Sequence, residues 1–271
     1  MTVLRNRVKR VIDEGGIALG GLVGTFQGPT MPELLGLAGY DAALIDMEHG
    51  GFDLDQVQVL IMASEIAGVT PMVRIPGLDP YLVTRLLDIG AQGIQLSGVS
   101  SAAEAQAVVD AVRFPPVGKR GLIGNSRALR YGGVSSADYL KTAEQNILIK
   151  VTIEDIEGLD AVEEIAAVEG IDLLGAGPHD ISAALGVVGQ PDAPVFVEAM
   201  DRIVRAAQSG GKRRLSQSVG HPSYPRTPAQ LAAAGVAFIT CQPFAERRLL
   251  AAFTEQVQSM RSALLESPEP V

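Results

Sequence analysis

Four short segments of the sequence carry side chains that could bind a metal ion and an acid. They are DMEHG at 46–50, Arg74 within TPMVRI, Glu154 at the end of ILIKVTIE, and Asp180 in GPHD. Carboxylates bind hard divalent cations, and arginine stabilises anionic oxygen. Histidine, with an ordinary pKa of about 6.5, can exchange a proton near neutral pH. These residue types together favour metal-assisted chemistry on an oxygen-rich anion.

The elements that must position these side chains are strands of a parallel sheet. Short apolar runs alternate with helical patterns along the chain, and eight runs lie at 17–24, 41–46, 70–75, 93–98, 147–154, 171–177, 213–219 and 236–241. Strict alternation of strands and helices is typical of a parallel sheet closed as a (β/α)8 TIM barrel. The carboxyl ends of all strands then meet at one face, where the four segments would converge.

The length and composition fit one barrel and little else. The chain has 271 residues, and 47% of them are hydrophobic. We expect a single barrel domain over 1–265 and a disordered tail over 266–271, where the sequence is rich in Pro, Glu and Ser. The stretch at 114–137 carries no periodic pattern, so we expect a long loop there.

Charge and cysteine usage exclude several classes of partner. There are 31 acidic against 22 basic residues, a net charge of −9, and Cys241 is the single cysteine. An acidic chain is a poor partner for nucleic acid or an anionic membrane. The start resembles a signal peptide, but Asp13 and Glu14 interrupt it, and no stretch is apolar enough to span a membrane. One cysteine suits a reducing compartment, so we expect a cytoplasmic protein.

Six segments, in order, resemble those of a known family. They are LIDMEHG, MVRIP, LLDIGAQGI, RFPPVGKRG, TIEDIEG and GAGPHDIS. The sequence is similar over 17–245 to the metal-dependent (class II) pyruvate aldolases of the HpcH/HpaI type, which include 4-hydroxy-2-oxoheptanedioate and 2-dehydro-3-deoxyglucarate aldolases. The resemblance implies a modified (β/α)8 barrel of the phosphoenolpyruvate/pyruvate type. It also implies a homo-oligomer, a hexamer or trimer of dimers, with the C-terminal helix exchanged between subunits.

The resemblance also implies a cofactor and its ligands. The metal would be Mg²⁺, Mn²⁺ or Co²⁺, with Glu154 and Asp180 as its two protein ligands. The backbone amides of His179 and Asp180 would bind the substrate carboxylate at the start of a helix. Two carboxylates leave coordination positions open for a chelating 2-oxo acid.

Further residues take catalytic roles in the same resemblance. His49 matches the general base, and Asp88 matches the carboxylate that raises the basicity of that histidine. Asp46 is a second candidate for orienting His49. Arg74 matches the residue that stabilises the enolate and the aldol alkoxide.

The sequence departs from the family where the substrate should lie. Thr152 stands where the family has a glutamine that holds the 2-oxo acid, so we expect Thr152 to contact the substrate, although its shorter side chain reaches less far. Gln95 and Ser97 replace an apolar residue and a proline, and TCQPF ends the eighth strand in place of a Gly-Val-Asp run. Arg127, in the long loop, could reach a carboxylate on the aldehyde partner.

Lys150 alternates with Thr152 and Glu154 on one strand, so all three should face the barrel interior. Two interpretations stay open. A buried lysine could form a Schiff base without any metal, or it could lie in a deep layer, neutralised by a carboxylate or by Gln95. We favour the deep layer, because a metal pair makes a second electrophile redundant.

Each candidate also has a purely structural interpretation. Asp180 could cap a helix and Glu154 could interact with a helix dipole. His49 could be a turn histidine, and Arg74 half of a surface ion pair. Because these residues occur together at strand ends, a metal-binding site is favoured over the structural interpretations.

The expected function is an aldolase that forms or consumes a pyruvate enolate, acting on a 2-oxo acid and an aldehyde. Two alternatives stay open. The same metal-enolate site could carry out a decarboxylation or a specialised condensation, or the barrel could have lost turnover and only bind a small acid.

Overall fold

A computed structural model describes residues 5–26, 28–209 and 214–265. Strands and helices alternate throughout these ranges. The strands are β1 Ala18–Val23, β2 Ala42–Asp46, β3 Thr70–Ile75, β4 Gly93–Leu96, β5 Leu148–Ile153, β6 Leu173–Ala176, β7 Leu215–Val219 and β8 Phe238–Cys241. The helices are α1 Arg7–Asp13, α2 Thr30–Leu37, α3 Leu54–Ile66, α4 Pro80–Asp88, α5 Ala102–Val112, α6 Ser136–Asn146, α7 Ile156–Asp160, α8 Val162–Ala167, α9 Pro178–Ala184, α10 Pro194–Gln208, α11 Pro228–Ala233 and α12 Ala245–Leu265.

The eight strands form a closed parallel barrel in sequence order, with β1 paired to both β2 and β8. The predicted TIM barrel is therefore confirmed, and each predicted strand overlaps an observed one. The apolar runs could be identified because strands buried on both faces read as continuous hydrophobic segments. The tail predicted over 266–271 lies outside the described residues.

Hydrophobic residues form two layers, one outside and one inside the strands. The outer layer joins strands to helices and includes Ile61, Val109 and Ile203. The inner layer includes Ala42, Met72, Leu148, Leu173 and Phe238, together with Val8 of α1. Because these inner side chains fill the barrel from below, the interior has a hydrophobic floor and is not a channel.

Helix α1 lies across the amino-terminal end of the barrel. The side-chain amide of Asn6 donates to the carbonyl oxygens of Gln92 and Asn146, at 2.8 and 3.0 Å. Lys9 forms an ion pair with Asp172 at 2.7 Å. These contacts close the lower end, so the interior is reached from the carboxyl ends of the strands.

The long loop expected at 114–137 is only partly irregular. Arg127–Gly132 form a 3-10 helix, and α6 begins at Ser136. Arg130 and Tyr131 have φ values of 54° and 56°, which break any helical periodicity. The expected irregular stretch is therefore largely confirmed, and only the start of α6 falls inside it.

Helix α12 follows β8, and all of its residues from 247 to 264 are exposed. Within residues 5–26, 28–209 and 214–265, no helix is both long and apolar enough to cross a membrane.

Candidate active site

A cavity of about 520 Å³ opens at the carboxyl ends of the strands. Its strand residues include Leu22, Leu44, Arg74, Gln95, Lys150, Thr152, Ser218 and Thr240. Its loop and helix residues include His49, Glu154, Gly177, His179, Asp180, His221, Ser223, Gln242 and Arg247. The cavity therefore brings together most of the side chains that the sequence singled out.

A buried ion pair joins the ends of β2 and β3. Asp46 and Arg74 are register partners, and the guanidinium binds both carboxylate oxygens, at 2.8 Å from Nε and 2.5 Å from Nη2. Burial opposes ionisation of Asp46, but the bonds from Arg74 outweigh it and lower the pKa of Asp46. Arg74 is thus fixed inside the barrel and is not half of a surface pair.

Glu48 connects this ion pair to two further residues. Its Oε2 accepts from Ser97 Oγ at 2.9 Å and lies 3.2 Å from Nη1 of Arg74. The same oxygen lies 3.9 Å from Nε2 of His49. We had not assigned a role to Glu48 from the sequence, although its place in DMEHG at a strand end was a usable signal.

His49 stands at the rim of the cavity, with its side chain 73% exposed. Its backbone N–H donates to Oδ1 of Asp46 at 3.2 Å, so Asp46 orients the loop and not the ring. The carboxylate closest to the ring is that of Glu48. Asp46 therefore holds the backbone of His49, and its role as a candidate for orienting the imidazole stays a prediction.

Glu154 and Asp180 face each other across Gly177. A Cβ atom built on Gly177 would lie 3.0 Å from Oε1 of Glu154 and 3.0 Å from Oδ2 of Asp180. Burial, and then the carboxylates of Glu48 and Asp180, raise the pKa of Glu154 to about 7. The missing side chain at position 177 thus leaves room between two carboxylates that repel each other.

Neither carboxylate serves as a helix cap. The N-cap of α7 is Asp155, whose side chain accepts from the amide of Gly158, and the N-cap of α9 is Gly177. The interpretation of Asp180 as a helix cap is therefore wrong, although Asp180 lies in the first turn of α9, where a carboxylate interacts favourably with the helix dipole.

These two carboxylates fit a divalent cation. Oxygen ligands suit Mg²⁺ and Mn²⁺, and a cation would relieve the repulsion that raises the pKa of Glu154. Within the described part of the chain, no group of three or more His, Cys, Asp or Glu side chains is arranged to hold a metal. A site with two protein ligands would leave positions open for a small molecule.

Two histidines and a serine line the cavity beside Asp180. Ser223 Oγ lies 3.3 Å from Nδ1 of His179, and the backbone amide of Ser223 donates to Nδ1 of His221 at 3.1 Å. Burial and the neighbouring His179 lower the pKa of His221. We had missed His221 in the sequence, although it follows β7 directly and the rule of collecting polar residues at strand ends would have found it.

Thr152 lines the cavity below Glu154, and its hydroxyl donates to the carbonyl oxygen of Leu96 at 3.4 Å. The hydroxyl also forms a hydrogen bond with the Glu154 side chain, which acts to lower the pKa of that carboxyl. Its predicted contact with substrate stays a prediction.

Comparison with known proteins agrees with this architecture. The HpcH/HpaI aldolase/citrate lyase family profile matches residues 25–238. The chain belongs to this family. The 5-keto-4-deoxy-D-glucarate aldolase of Shigella boydii serotype 18 is 39% identical over 184 residues, which are 68% of this chain and 71% of that protein. Its relatives are named aldolases and lyases, so this HpcH/HpaI protein is an aldolase-type lyase.

Two solved structures are similar over almost the whole HpcH/HpaI chain. An HpcH/HpaI aldolase/citrate lyase family protein from Burkholderia cenocepacia J2315 is 31% identical, with a TM-score of 0.83, and covers 94% of this chain and 99% of that one. Citrate synthase SbnG is 25% identical, with a TM-score of 0.83, and covers 97% and 100%.

Two residues expected at the site of this family member lie elsewhere in the chain. Asp88, at the end of α4, forms an ion pair with the buried Arg120 at 2.8 Å. Arg127 forms bonds with both carboxylate oxygens of Glu65, at 3.0 and 2.5 Å. Neither lines the cavity, because each has a closer partner of opposite charge on the helical shell. Their predicted roles beside His49 and at the substrate are not seen within one chain and stay predictions.

Proposed function

We propose that this lyase is a divalent-metal-dependent aldolase that cleaves a 4-hydroxy-2-oxo acid into pyruvate and an aldehyde. The observation that carries the proposal is the pair Glu154 and Asp180, which flank Gly177 in a cavity that also contains Arg74 and His49. The relative named for 5-keto-4-deoxy-D-glucarate supports a keto acid as substrate.

The reaction needs one proton transfer at each end of the broken bond. A base removes the proton of the C4 hydroxyl, the C3–C4 electron pair passes to the pyruvate half as an enolate, and C4 becomes the aldehyde carbonyl. C3 then takes up a proton, which completes pyruvate. A divalent cation held by Glu154 and Asp180 would act as a Lewis acid on the 2-oxo group.

The chain's own residues supply the remaining functions. Arg74 stays protonated and lies close enough to Glu154 to interact with its charge, so it would stabilise the enolate oxygen. His49, accessible at the rim, would take the C4 hydroxyl proton and deliver it to C3 of the enolate, so the same imidazole would also exchange the C3 protons of pyruvate. Glu48, 3.9 Å from its ring, would stabilise the imidazolium. The amides of His179 and Asp180, at the start of α9, would bind the substrate carboxylate.

A second candidate is a condensation or decarboxylation at the same site. The polar residues Gln95 and Thr152 in the interior and the similarity to a citrate synthase support it. Turnover of oxaloacetate without turnover of 4-hydroxy-2-oxo acids would favour this candidate.

The decisive experiment is hydrogen exchange at C3 of pyruvate in D₂O, followed by NMR with Mg²⁺, Mn²⁺ or Co²⁺ and with EDTA. Paramagnetic metals are removed before the spectrum is recorded. Metal-dependent loss of the methyl signal supports the proposal. Exchange in EDTA would instead implicate the amine of Lys150. No exchange with any metal would contradict enolate chemistry and favour a barrel that only binds a small acid.

We also propose a homo-oligomer and a cytoplasmic location. Helix α12 exposes Leu250, Phe253, Met260 and Leu264, each by 60% or more, which supports burial against another subunit. The single Cys241 and the net charge of −9 support a reducing compartment without nucleic acid or membrane partners.

A further inference from the structure

A short turn after β7 holds a histidine at the cavity. His221 follows the end of β7 at Val219 by two residues and lines the cavity. The backbone amide of Tyr224 donates to the carbonyl oxygen of His221 at 3.0 Å. The backbone amide of Gly220 donates to the carbonyl oxygen of Arg226 at 3.1 Å. The turn is therefore closed by its own backbone hydrogen bonds, which fix the position of His221.

The same turn is anchored to the helical shell. Tyr224 is buried, and its ring makes an edge contact with Phe196 of α10, with 6.1 Å between the ring centroids. The guanidinium of Arg226 lies 4.3 Å from the centroid of the Tyr224 ring. A side chain held on such a turn is already in place before a ligand arrives, so little ordering entropy is lost on binding.

One hydrogen bond determines the tautomer of His221. The backbone amide of Ser223 donates to Nδ1 of the ring at 3.1 Å. Because an amide N–H can only donate, Nδ1 is the unprotonated nitrogen, and the proton of the neutral ring is on Nε2. Burial, and then the neighbouring His179, lower the pKa of His221, while Asp180 opposes the shift. The ring is therefore neutral at about pH 7.

This tautomer excludes two common functions of histidine. A metal ligand and a general base both need a free lone pair on nitrogen, and the lone pair of the neutral ring is already engaged by Ser223. The N–H at Nε2 remains, and no hydrogen bond among residues 5–26, 28–209 and 214–265 uses it. His221 thus offers an unused, uncharged hydrogen-bond donor at the surface of the cavity.

The oxygens of the proposed substrate differ in the partners they would have. The 2-oxo group would bind the cation and Arg74, and the carboxylate would bind the amides at the start of α9. The C4 oxygen would have only His49, which removes its proton. A lone pair of that oxygen stays free to accept, and negative charge develops there as the proton leaves. Neutral imidazole with a lowered pKa polarises a substrate carbonyl in other enzymes.

We propose that His221 is a further catalytic residue, which donates from Nε2 to the C4 oxygen of the 4-hydroxy-2-oxo acid. The inference rests on the proposed function, because it assigns a donor to one oxygen of that reaction. In cleavage, the C4 hydroxyl proton passes to His49 and the C3–C4 electron pair passes to the enolate. The hydrogen bond from His221 strengthens as the C4 oxygen loses its proton, and His221 keeps its own. In the reverse direction, the same donor polarises the aldehyde carbonyl.

The test compares two reactions of the Mg²⁺-loaded protein that share the enolate and differ in the C4 oxygen. Hydrogen exchange at C3 of pyruvate in D₂O, followed by NMR, involves no aldehyde. Cleavage of 4-hydroxy-2-oxopentanoate, followed through the pyruvate released with lactate dehydrogenase and NADH, requires the C4 oxygen. We expect His221→Phe, which keeps a ring without a donor, to lower kcat for cleavage by about 10²-fold and to change the exchange rate by less than about twofold.

Two further variants identify the donor. His221→Gln places an amide N–H near the position of Nε2 and should restore cleavage to within about tenfold of the unmodified protein. Lys141→Met removes an exposed donor on α6 that does not line the cavity, and it should leave both rates unchanged. Circular dichroism establishes that each variant is folded. If His221→Phe does not fold, His221→Ala removes the same donor and must give the same loss.

The tautomer is measured without any substrate. The chain has three histidines, so selective ¹⁵N labelling of histidine gives three ring systems, and the one that disappears in His221→Gln belongs to His221. We expect a protonated Nε2 and an unprotonated Nδ1 at about pH 7. A proton on Nδ1, or on both ring nitrogens, would overturn the inference, since the ring would then not be the neutral Nε2–H donor.

The two rates separate failure of the inference from failure of the proposed function. If exchange and cleavage fall together in His221→Phe, the donor acts on the pyruvate half, and if cleavage is unchanged, the donor has no role in the reaction. Either result overturns the inference. If the unmodified protein exchanges pyruvate but does not cleave the probe, enolate chemistry stands and the inference fails. If neither reaction occurs with metal, both the proposed function and the inference fail.

Discussion

At the scale of single residues, Glu154 connects metal binding to stability. The folded protein holds its pKa near 7, against an ordinary value of 4.5, so between these pH values the folded state binds a proton that the unfolded state has lost. Stability without metal therefore falls as the pH rises from about 4.5 to about 7. We expect Glu154→Gln to stabilise the metal-free protein by about 1–3 kcal/mol at pH 8 and to have no such effect below pH 4.5. Thermal unfolding of both proteins without metal, from below pH 4.5 to pH 8, measures this difference in stability.

Mg²⁺ should make the unmodified protein more stable than Glu154→Gln, the reverse of the order expected without metal. The cation should raise the melting temperature of the unmodified protein and leave that of Glu154→Gln unchanged, because ligand binding stabilises only the state that binds. Glu157→Gln, at an exposed carboxylate in the first turn of α7, is the matched control and should behave like the unmodified protein. An equal response to Mg²⁺ in Glu154→Gln would remove Glu154 from the metal site.

His49 tests proton transfer separately from metal binding. We expect His49→Ala to keep the thermal shift caused by Mg²⁺ and to lose about 10²–10⁴-fold in the rate of C3 exchange of pyruvate, the usual contribution of a general base. NMR in D₂O gives the rate. An unchanged exchange rate would show that His49 is not the general base. Glu48 would then be the next candidate, since its Oε2 lies 3.9 Å from Nε2 of His49.

At the scale of elements, the junction between β6 and α9 determines whether the two proposed ligands can approach each other. A Cβ atom at Gly177 would lie 2.7 Å from Cγ of Glu154 and 3.0 Å from an oxygen of each carboxylate. We expect Gly177→Ala to weaken Mg²⁺ binding at least tenfold while the circular dichroism spectrum stays unchanged.

Gly77→Ala is the matched control for this change, because a Cβ atom there meets nothing within 4 Å. It should leave Mg²⁺ affinity unchanged. Undiminished affinity in Gly177→Ala would show that the cation does not bind between Glu154 and Asp180.

The ion pair between β2 and β3 should matter for stability as well as for chemistry. Asp46 is 2% exposed, and its loss would leave Arg74 without its bidentate partner. We expect Asp46→Asn to reduce the free energy of unfolding by about 3 kcal/mol, as for other broken buried pairs. Urea denaturation measures it. Glu163→Gln, which breaks an exposed ion pair with Arg202, should change the free energy of unfolding little. Similar changes in the two variants would mean that the buried ion pair stabilises the fold no more than the exposed one.

At the scale of the whole molecule, α12 carries an apolar stripe that one chain does not cover. Leu250, Phe253, Val257, Met260 and Leu264 recur at intervals of three and four, and all are at least 47% exposed. This spacing is typical of a helix that packs against another helix. We expect the double variant Phe253→Glu and Val257→Glu to lower the mass measured by light scattering, whereas Gln258→Glu should leave it unchanged. A monomer before any substitution would contradict the proposed oligomer.

The sequence by itself determined the barrel and the centre of the site. Apolar runs that alternate with helical patterns predicted all eight strands, because buried parallel strands are continuous in hydrophobicity. Parallel strands end at one face, so His49, Arg74, Glu154 and Asp180 could be grouped without coordinates. The direction of the strands and the local hydrophobic pattern were sufficient to predict the barrel and to group these four residues.

The tertiary structure alone decided which charged groups pair with each other. Within one chain Asp88 binds Arg120 and Arg127 binds Glu65, and neither lines the cavity of its own chain, whereas Glu48 joins Arg74, Ser97 and His49. Lys150 was expected to have a neutralising partner and has none among the described residues. Ion pairs form between residues tens of positions apart, and their strength falls with distance and rises with burial. Those two quantities are properties of the folded chain, which no local sequence pattern contains.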